Sequence, residues 1–446
     1  MNMDKLIAVA AVVAGAMAAN ADTVVSMTTN GVSWQITLHD DGRTATLGKN
    51  GCTSRANAGS YRACDASAEV YADDIPWRFT YDDVNYTVTK IAAYAFIDCT
   101  GLKTLAIPDA VTMVDSNAFT YCTGLTKLAG GRNVTTWGRY VFSGNSNMAG
   151  VYPDLTPVTR IAESLFQNCP LMTGELKLGN SITALPQLAF CDSQFSGTAV
   201  LPMSLTSVGA NSNQGVFQNN PNLTAIWVKG RPAAASQTYT TVYCAKFAAA
   251  NTSLEMILMG QNTKGARMTQ TGSNAMLSGC TGVQVFVPAN GFWNGLVTGG
   301  TNNKVWYYGP TNEFDLAVDE RAMTATFAPT TANALTNALA WAPSFKTHFG
   351  LDARISITNA IDLAGVTVTD AMTQGVTFDR LVFSAKTQTQ LNAILETFPA
   401  TTPLAIDPTG LTEDMVIPNE YVNVFVKAVP GVQIKRASSG LMIIFQ

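Results

Sequence analysis

The phrase "AF-x-x-C-T-G-L" occurs twice in this chain, with its phenylalanine at Phe96 and again at Phe119, 23 residues apart. A single catalytic centre has little use for two copies of one local pattern, but a chain that stacks copies of one structural unit requires them. Taking the phenylalanine as the marker, the series runs Phe96, Phe119, Phe142, Phe166, Phe190 and Phe217, with two more divergent units at Phe247 and Met276. The intervals are 23, 23, 24, 24, 27, 30 and 29 residues. Periods of this size with recurrent leucines predict a leucine-rich-repeat solenoid of about eight turns.

Within the first unit, Leu102, Leu105 and Ile107 alternate with Thr104 and Ala106, the period of a strand with one buried face. Pro108 and Asp109 end that strand, because proline cannot donate to a ladder. Val111 and Val114 then make a second short apolar segment before Ala118 and Phe119 open the next unit. No single unit can bury its apolar face alone, so neighbours must stack into one continuous core, and each marker phenylalanine is expected inside it. Cys99, Cys122 and Cys169 stand three residues after their phenylalanine, where Asn145 and Asn220 stand in other units. That position suits a small side chain turned inward to satisfy backbone groups.

No pair of cysteines has zinc-finger spacing, and the only two histidines, His39 and His348, lie at opposite ends of the chain. Neither a metal nor a cofactor is therefore expected. Cys52 and Cys64 lie outside the repeats and are expected to form a disulfide if the chain is exported.

The stretch from Phe96 to Phe142 resembles the BspA-like leucine-rich repeats of bacterial surface proteins, whose pattern is close to "AF-x-x-C-x-x-L-x-x-L-x-I-P-x-x-V-x-x-I". Ala95, Phe96, Cys99, Leu102, Leu105, Ile107, Pro108, Val111 and Val114 match it position by position. The likeness continues to Phe217 and loosens towards Pro310, covering roughly half of the chain. The resemblance implies an exported or surface-displayed protein that binds host protein, glycan or other cells, without a fixed site motif to carry over.

The ends of the chain read differently. Lys5, the apolar stretch Leu6 to Ala19 and the small residues Ala19 and Ala21 have the layout of a secretory signal peptide cut after Ala21. Residues 22–86 are expected to form an N-terminal β cap built from hairpins, including one turning at Asp41-Gly42. Residues 87–310 form the solenoid, and residues 311–446 a small α+β domain of unknown role, with a helix ending near Pro343. The fold class is thus mainly β. No later segment is apolar and long enough to be a transmembrane helix.

The net charge of -4 and the absence of a basic stretch interleaved with aromatics argue against nucleic acid. No nucleophile elbow, phosphate loop or dinucleotide fingerprint is present, so no enzyme is expected. Outward residues of stacked strands form columns on a sheet. One predicted column runs Ala106, Ala129, Tyr152, Lys177, Val200, Trp227, Leu258 and Phe286, and its neighbour includes Lys127 and Glu175. Three aromatics, Tyr152, Trp227 and Phe286, would mark a binding surface if they face water, and would be core or a domain contact if they do not. The expectation is a secreted or cell-surface recognition protein of the adhesion type with a protein or glycan ligand. The alternative is a structural component of the cell envelope attached through residues 311–446.

Overall fold

A computed structural model describes residues 22–231, 239–310, 312, 314–363, 375–398, 400, 402–410, 414–421, 423–426 and 434–436. The expected signal peptide, residues 1–21, lies outside them. The chain divides into two compact units, one running to Val287 and including Gly291–Trp306, the other comprising Pro288–Asn290 and everything from Tyr307.

In the first unit each repeat gives one strand to each of two parallel sheets and one turn to a third face. In the first sheet, Thr104–Ile107 pairs with Lys127–Gly130, and Gly150–Val151 pairs with Met172–Thr173. Gly197–Leu201, Leu223–Val228, Met256–Met259 and Gln284–Pro288 then follow in chain order. The second sheet runs Val84–Ile91, Met113–Val114, Thr136–Trp137 and Arg160–Ile161. It is continued by Ala184–Leu185, Ser207–Val208, Thr240–Tyr243 and Thr263–Ala266. Leu102, Leu105, Ile107, Val111 and Val114 all point into the space between these sheets and are buried.

The third face is held by backbone bonds from turn to turn. Phe96 N–H donates to the Ala118 carbonyl at 2.7 Å, and Phe119 and Phe142 N–H to the Val141 and Leu165 carbonyls at 3.0 Å. The marker rings follow the same translation. Phe96, Phe119, Phe142 and Phe166 stack with centroids 5.0, 5.5 and 5.4 Å apart, close to the ~4.8 Å between paired strands. All six marker phenylalanines are fully buried. Three residues after each ring, a short polar side chain donates back to the previous turn: Cys122 to the Phe96 carbonyl, Asn145 to Phe119, Cys169 to Phe142, Ser193 to Phe166 and Asn220 to Phe190.

The same ladder corrects the last two markers. Ala248 N–H donates to the Met276 carbonyl, while Asn251 donates to both Phe217 and Ala248 and Cys280 donates to Ala248. Ala248 and Leu277, not Phe247 and Met276, therefore occupy the marker position. Phe247 consequently meets Phe217 edge-on, at 80°, instead of stacking on it. An alanine at the marker hides the register in the sequence, because its apolar neighbour looks like the better match.

The N-terminal strands extend the second sheet. Thr23–Thr29 and Val32–Leu38 form a hairpin around Asn30-Gly31, both left-handed at φ 49° and 81°, as a two-residue turn between twisted strands demands. Val32–Leu38 pairs with Thr44–Leu47 through the Asp41-Gly42 turn, and Thr44–Leu47 pairs in parallel with Val84–Ile91. Asp41 accepts the Arg43 and Thr44 N–H groups there. Trp34 is fully buried and meets Phe96 edge-on at 6.2 Å. Cys52 and Cys64 are separate buried thiols, so the expected disulfide is not formed. Cys52 donates to the Ser54 carbonyl, whereas the neighbouring Cys64 thiol and burial push the Cys99 thiol up.

The second unit departs from the α+β expectation. Among the described residues only its first pair, Phe314–Asp319 with Thr324–Pro329, is antiparallel. Thr324–Pro329, Asp352–Ser356, Val376–Ser384, Leu404–Asp407 and Val424–Val426 then pair in parallel in chain order. Parallel neighbours need crossovers of a dozen or more residues, and among the described residues two helices serve in them: α1 (Ala332–Phe349) and α2 (Gln388–Thr397). Thr331 caps α1 by accepting the Ala334 N–H, and Gly350 ends it in the left-handed region. The helix continues past Pro343 because that residue lies on the exposed face, while Leu339, Ala342, Phe345 and Phe349 bury the opposite face on both sides of it.

Candidate functional site

The six residues singled out on the strands separate into two groups. Lys127, Glu175 and Lys177 are exposed, whereas Tyr152, Trp227 and Phe286 are buried at 6%, 4% and 0% of their surface. An exposed aromatic column is therefore excluded.

The reasons differ along the sheet. At Tyr152 the register is displaced: Lys127 bridges to Ala149 and not to Gly150. The strand is only Gly150–Val151, so Val151 takes the outward position, 71% exposed, and Tyr152 turns inward. Its ring stacks on Phe195 at 3.9 Å and its hydroxyl accepts the Gln194 N–H at 2.8 Å, while burial pushes the phenol up.

Trp227 and Phe286, by contrast, sit in the expected column, with Val200 beside Trp227, Trp227 beside Leu258, and Leu258 beside Phe286. Here both faces of the sheet are buried, as in "IWV", "MILM" and "VFV". Continuous apolar runs of that kind, unlike the alternation in Thr104–Ile107, are the sequence mark of a strand covered on both sides.

The outward face of the early repeats is open. Ala106, Lys127, Ala129, Val151, Thr173, Glu175 and Lys177 are all exposed, and Leu171 at its border is 51% exposed. On the second sheet, Arg139, Arg160, Glu163 and Pro186 border a groove of about 440 Å³. Glu163 is already engaged there, by Arg139 at 3.7 Å and by Gln187 at 3.0 Å.

A third concavity, of about 380 Å³, lies on the turn face. The turns from Phe96 to Phe190 each place two residues in the left-handed region, two before and two after the marker phenylalanine. Asp98, Asn117, Asn168, Asp192 and Asn219 fill such positions with the residue types that tolerate it. Tyr94, Tyr121 and Tyr140 do not, yet hold φ of 62°, 56° and 55°. A bulky side chain there costs roughly 1–2 kcal/mol. All three line the same cleft, with Asn117, Gln167 and Asn168. Arg55 stacks over Tyr121 at 4.8 Å and is paired with Asp98. Gly144 lets the Tyr121 ring pack on its backbone, since a Cβ there would lie 2.3 Å from the ring. The sequence signal was present in "AAYAF", "TYC" and "RYVF", but only the turn geometry brings these tyrosines together.

Among the described residues no helix is long and apolar enough to cross a membrane, and no group of three or more His, Cys, Asp or Glu could hold a metal ion. His39 is held between Thr44 and Thr46, at 2.9 and 2.8 Å.

Comparison with known proteins agrees with this architecture. A search of curated proteins finds no match. Among solved structures, the chain is similar to a leucine rich cell surface protein of Faecalibacterium prausnitzii A2-165, with 17% identity over 65% of this chain and 96% of that one, and a TM-score of 0.36. A leucine-rich repeat protein of Bacteroides ovatus ATCC 8483 gives 15% identity over 65% and 90%, with a TM-score of 0.25. The pneumococcal vaccine antigen PcpA gives 12% over 92% and 100%, with a TM-score of 0.38. The family model for the BspA type leucine rich repeat region matches six copies, over residues 78–196 and 156–264. Residues 78–264 therefore carry leucine-rich repeats of the BspA type.

Proposed function

We propose that this is an exported recognition protein of the bacterial cell surface, which binds host protein, glycan or another cell through its repeat unit and catalyses no reaction. The observation that carries the reading is the open outward face of the early repeats. Stacking fixes those strands rigidly, yet Val151, Lys127, Glu175 and Lys177 remain exposed, whereas the later strands are buried on both faces. An exposed apolar side chain among mixed charges, on a scaffold that loses little entropy on binding, is the composition of a contact surface. The match of residues 78–264 to the BspA type repeat region supports the reading of display outside the cell.

The test is binding of the purified chain to a panel of mucins, matrix proteins and glycans. A variant carrying Val151→Ser, Lys127→Ala, Glu175→Ala and Lys177→Ala is run beside it. All four changes are at exposed positions, so folding should persist. A ligand held by the parent and weakened about tenfold or more in the variant supports the reading. Equal binding moves the contact off this sheet. No binding at all, with the protein retained in envelope fractions, favours a role as an envelope component.

A further inference from the structure

Resting on that surface-recognition reading, the geometry points to a second, specific site: the turn-face cleft lined by Tyr94, Tyr121 and Tyr140 binds an uncharged saccharide chain. Three independent features lead there.

The first is placement. Tyr94, Tyr121 and Tyr140 come from three successive turns and occupy left-handed positions that the turns beside them give to Asn, Asp, Ser or Gly, and later ones also to Leu188, Lys246 and Ala250. The repeat does not need an aromatic at these positions, so the fold alone does not account for three strained tyrosines facing one cavity. Backbone strain of this sort gathers where a ligand is held.

The second is unspent hydrogen-bonding capacity. Among the described residues none bonds to the hydroxyls of the three tyrosines or to the Asn168 amide, and Asn117 only accepts a long contact from Thr120 at 3.4 Å. The cleft thus presents phenol and amide donors and acceptors around aromatic rings. A sugar offers the complementary set, with hydroxyls at its rim and C–H groups on its faces.

The third is charge. Arg55, the one cation of the lining, is matched by Asp98, with Nε donating to Oδ2 at 3.1 Å. Its guanidinium is spent on that carboxylate and on the Tyr121 face, leaving no free charge to attract an anion. An acidic glycan, phosphate or acidic peptide would want an unpaired cation; a neutral saccharide wants none. The lining spans four turns, or ~14 Å at ~4.8 Å per turn, which suits an extended chain of sugar units more than a single ring.

The experiment uses the full chain and neutral gluco-, galacto- and manno-oligosaccharides. Sialylated and sulfated glycans and a set of matrix proteins run in parallel, all read by calorimetry. Two variants, Tyr121→Asn and Tyr140→Asn, install the residue that other turns use. They should leave the thermal midpoint unchanged or raised, because Asn tolerates the left-handed region, while weakening saccharide binding about tenfold or more. That split between stability and binding is the expected result, since a purely structural tyrosine would show the opposite.

Neutral saccharide binding that survives both variants overturns the site. Binding of acidic glycans in place of neutral ones overturns the ligand class. Matrix protein bound without any saccharide overturns the cleft assignment and leaves surface recognition standing. A chain that binds nothing in the panel overturns both.

Discussion

Asn145 shows how much one side chain does in this stack. Its amide donates both hydrogens, to the Phe119 and Phe142 carbonyls at 2.9 Å each, and so ties two turns together from inside the core. Asn220 and Asn251 repeat the arrangement. Cys122 offers a single donor to Phe96 at the same place, so asparagine and cysteine are related but unequal solutions to one buried-carbonyl problem. Asn220→Ala strands carbonyls away from water and should cost about 1–3 kcal/mol, read as a lowered denaturant midpoint at unchanged slope. Phe142→Ala, which empties the centre of the ring stack, should cost about 3–5 kcal/mol. An effect under about 1 kcal/mol at Phe142 would contradict its place in that stack. The tyrosine cleft belongs to this scale as well, because its residues were legible one at a time and meaningful only as a group.

At the scale of the turn, the close approach of successive repeats is set by glycines. A Cβ on Gly124 would lie 1.8 Å from the Thr100 carbonyl oxygen, and one on Gly101 would lie 2.0 Å from that of Ala68. Neither neighbour is a flexible side-chain end, so Gly124→Ala must push two turns apart. A loss of about 1–3 kcal/mol is expected, measured as a fall in thermal midpoint. The buried thiols give the repeats a pH signature. Burial raises Cys169 and Cys244 from 9.0 to about 12, so the folded chain keeps protons that the unfolded chain releases. Their stabilisation is complete below about pH 9 and is lost as pH rises from there towards 12. Thermal midpoints should therefore decline across that window, and iodoacetamide should label these thiols at pH 8 only after unfolding. Prompt labelling of the native chain would show that these turns open.

At the scale of the whole molecule, the two units are built on different connections, turn-linked parallel strands in one and helical crossovers in the other. The chain cut after Trp306 keeps the whole early sheet and the tyrosine cleft. It should retain cooperative unfolding by circular dichroism and the ligand binding of the full chain. Loss of binding in a folded truncation would assign recognition to the second unit. The turns also explain why repeat counting by eye drifts. The six phenylalanines hold register because each ring needs its neighbour at one translation, whereas Ala248 and Leu277 keep the ladder by backbone alone and leave no aromatic to count.

The amino-acid sequence by itself determined the solenoid. A fixed interval between Phe96, Phe119 and Phe142, an alternating Leu102-Leu105-Ile107, and a small polar residue three places after each ring leave stacking as the way to bury each unit's face. It also carried the hairpin that turns at Asp41-Gly42. Tertiary structure decided which outward residues meet water. Trp227 and Phe286 kept their column but were covered, and Tyr152 slipped by one residue into the core. It also decided that Cys64 lies beside Cys99 instead of bonding Cys52, that the second unit's strands after the first pair run in parallel, and that three separated tyrosines share one cleft. The division has one cause. Periodicity reports forces acting between residues at fixed separations along the chain, whereas exposure depends on what covers a face from elsewhere, which no local pattern encodes.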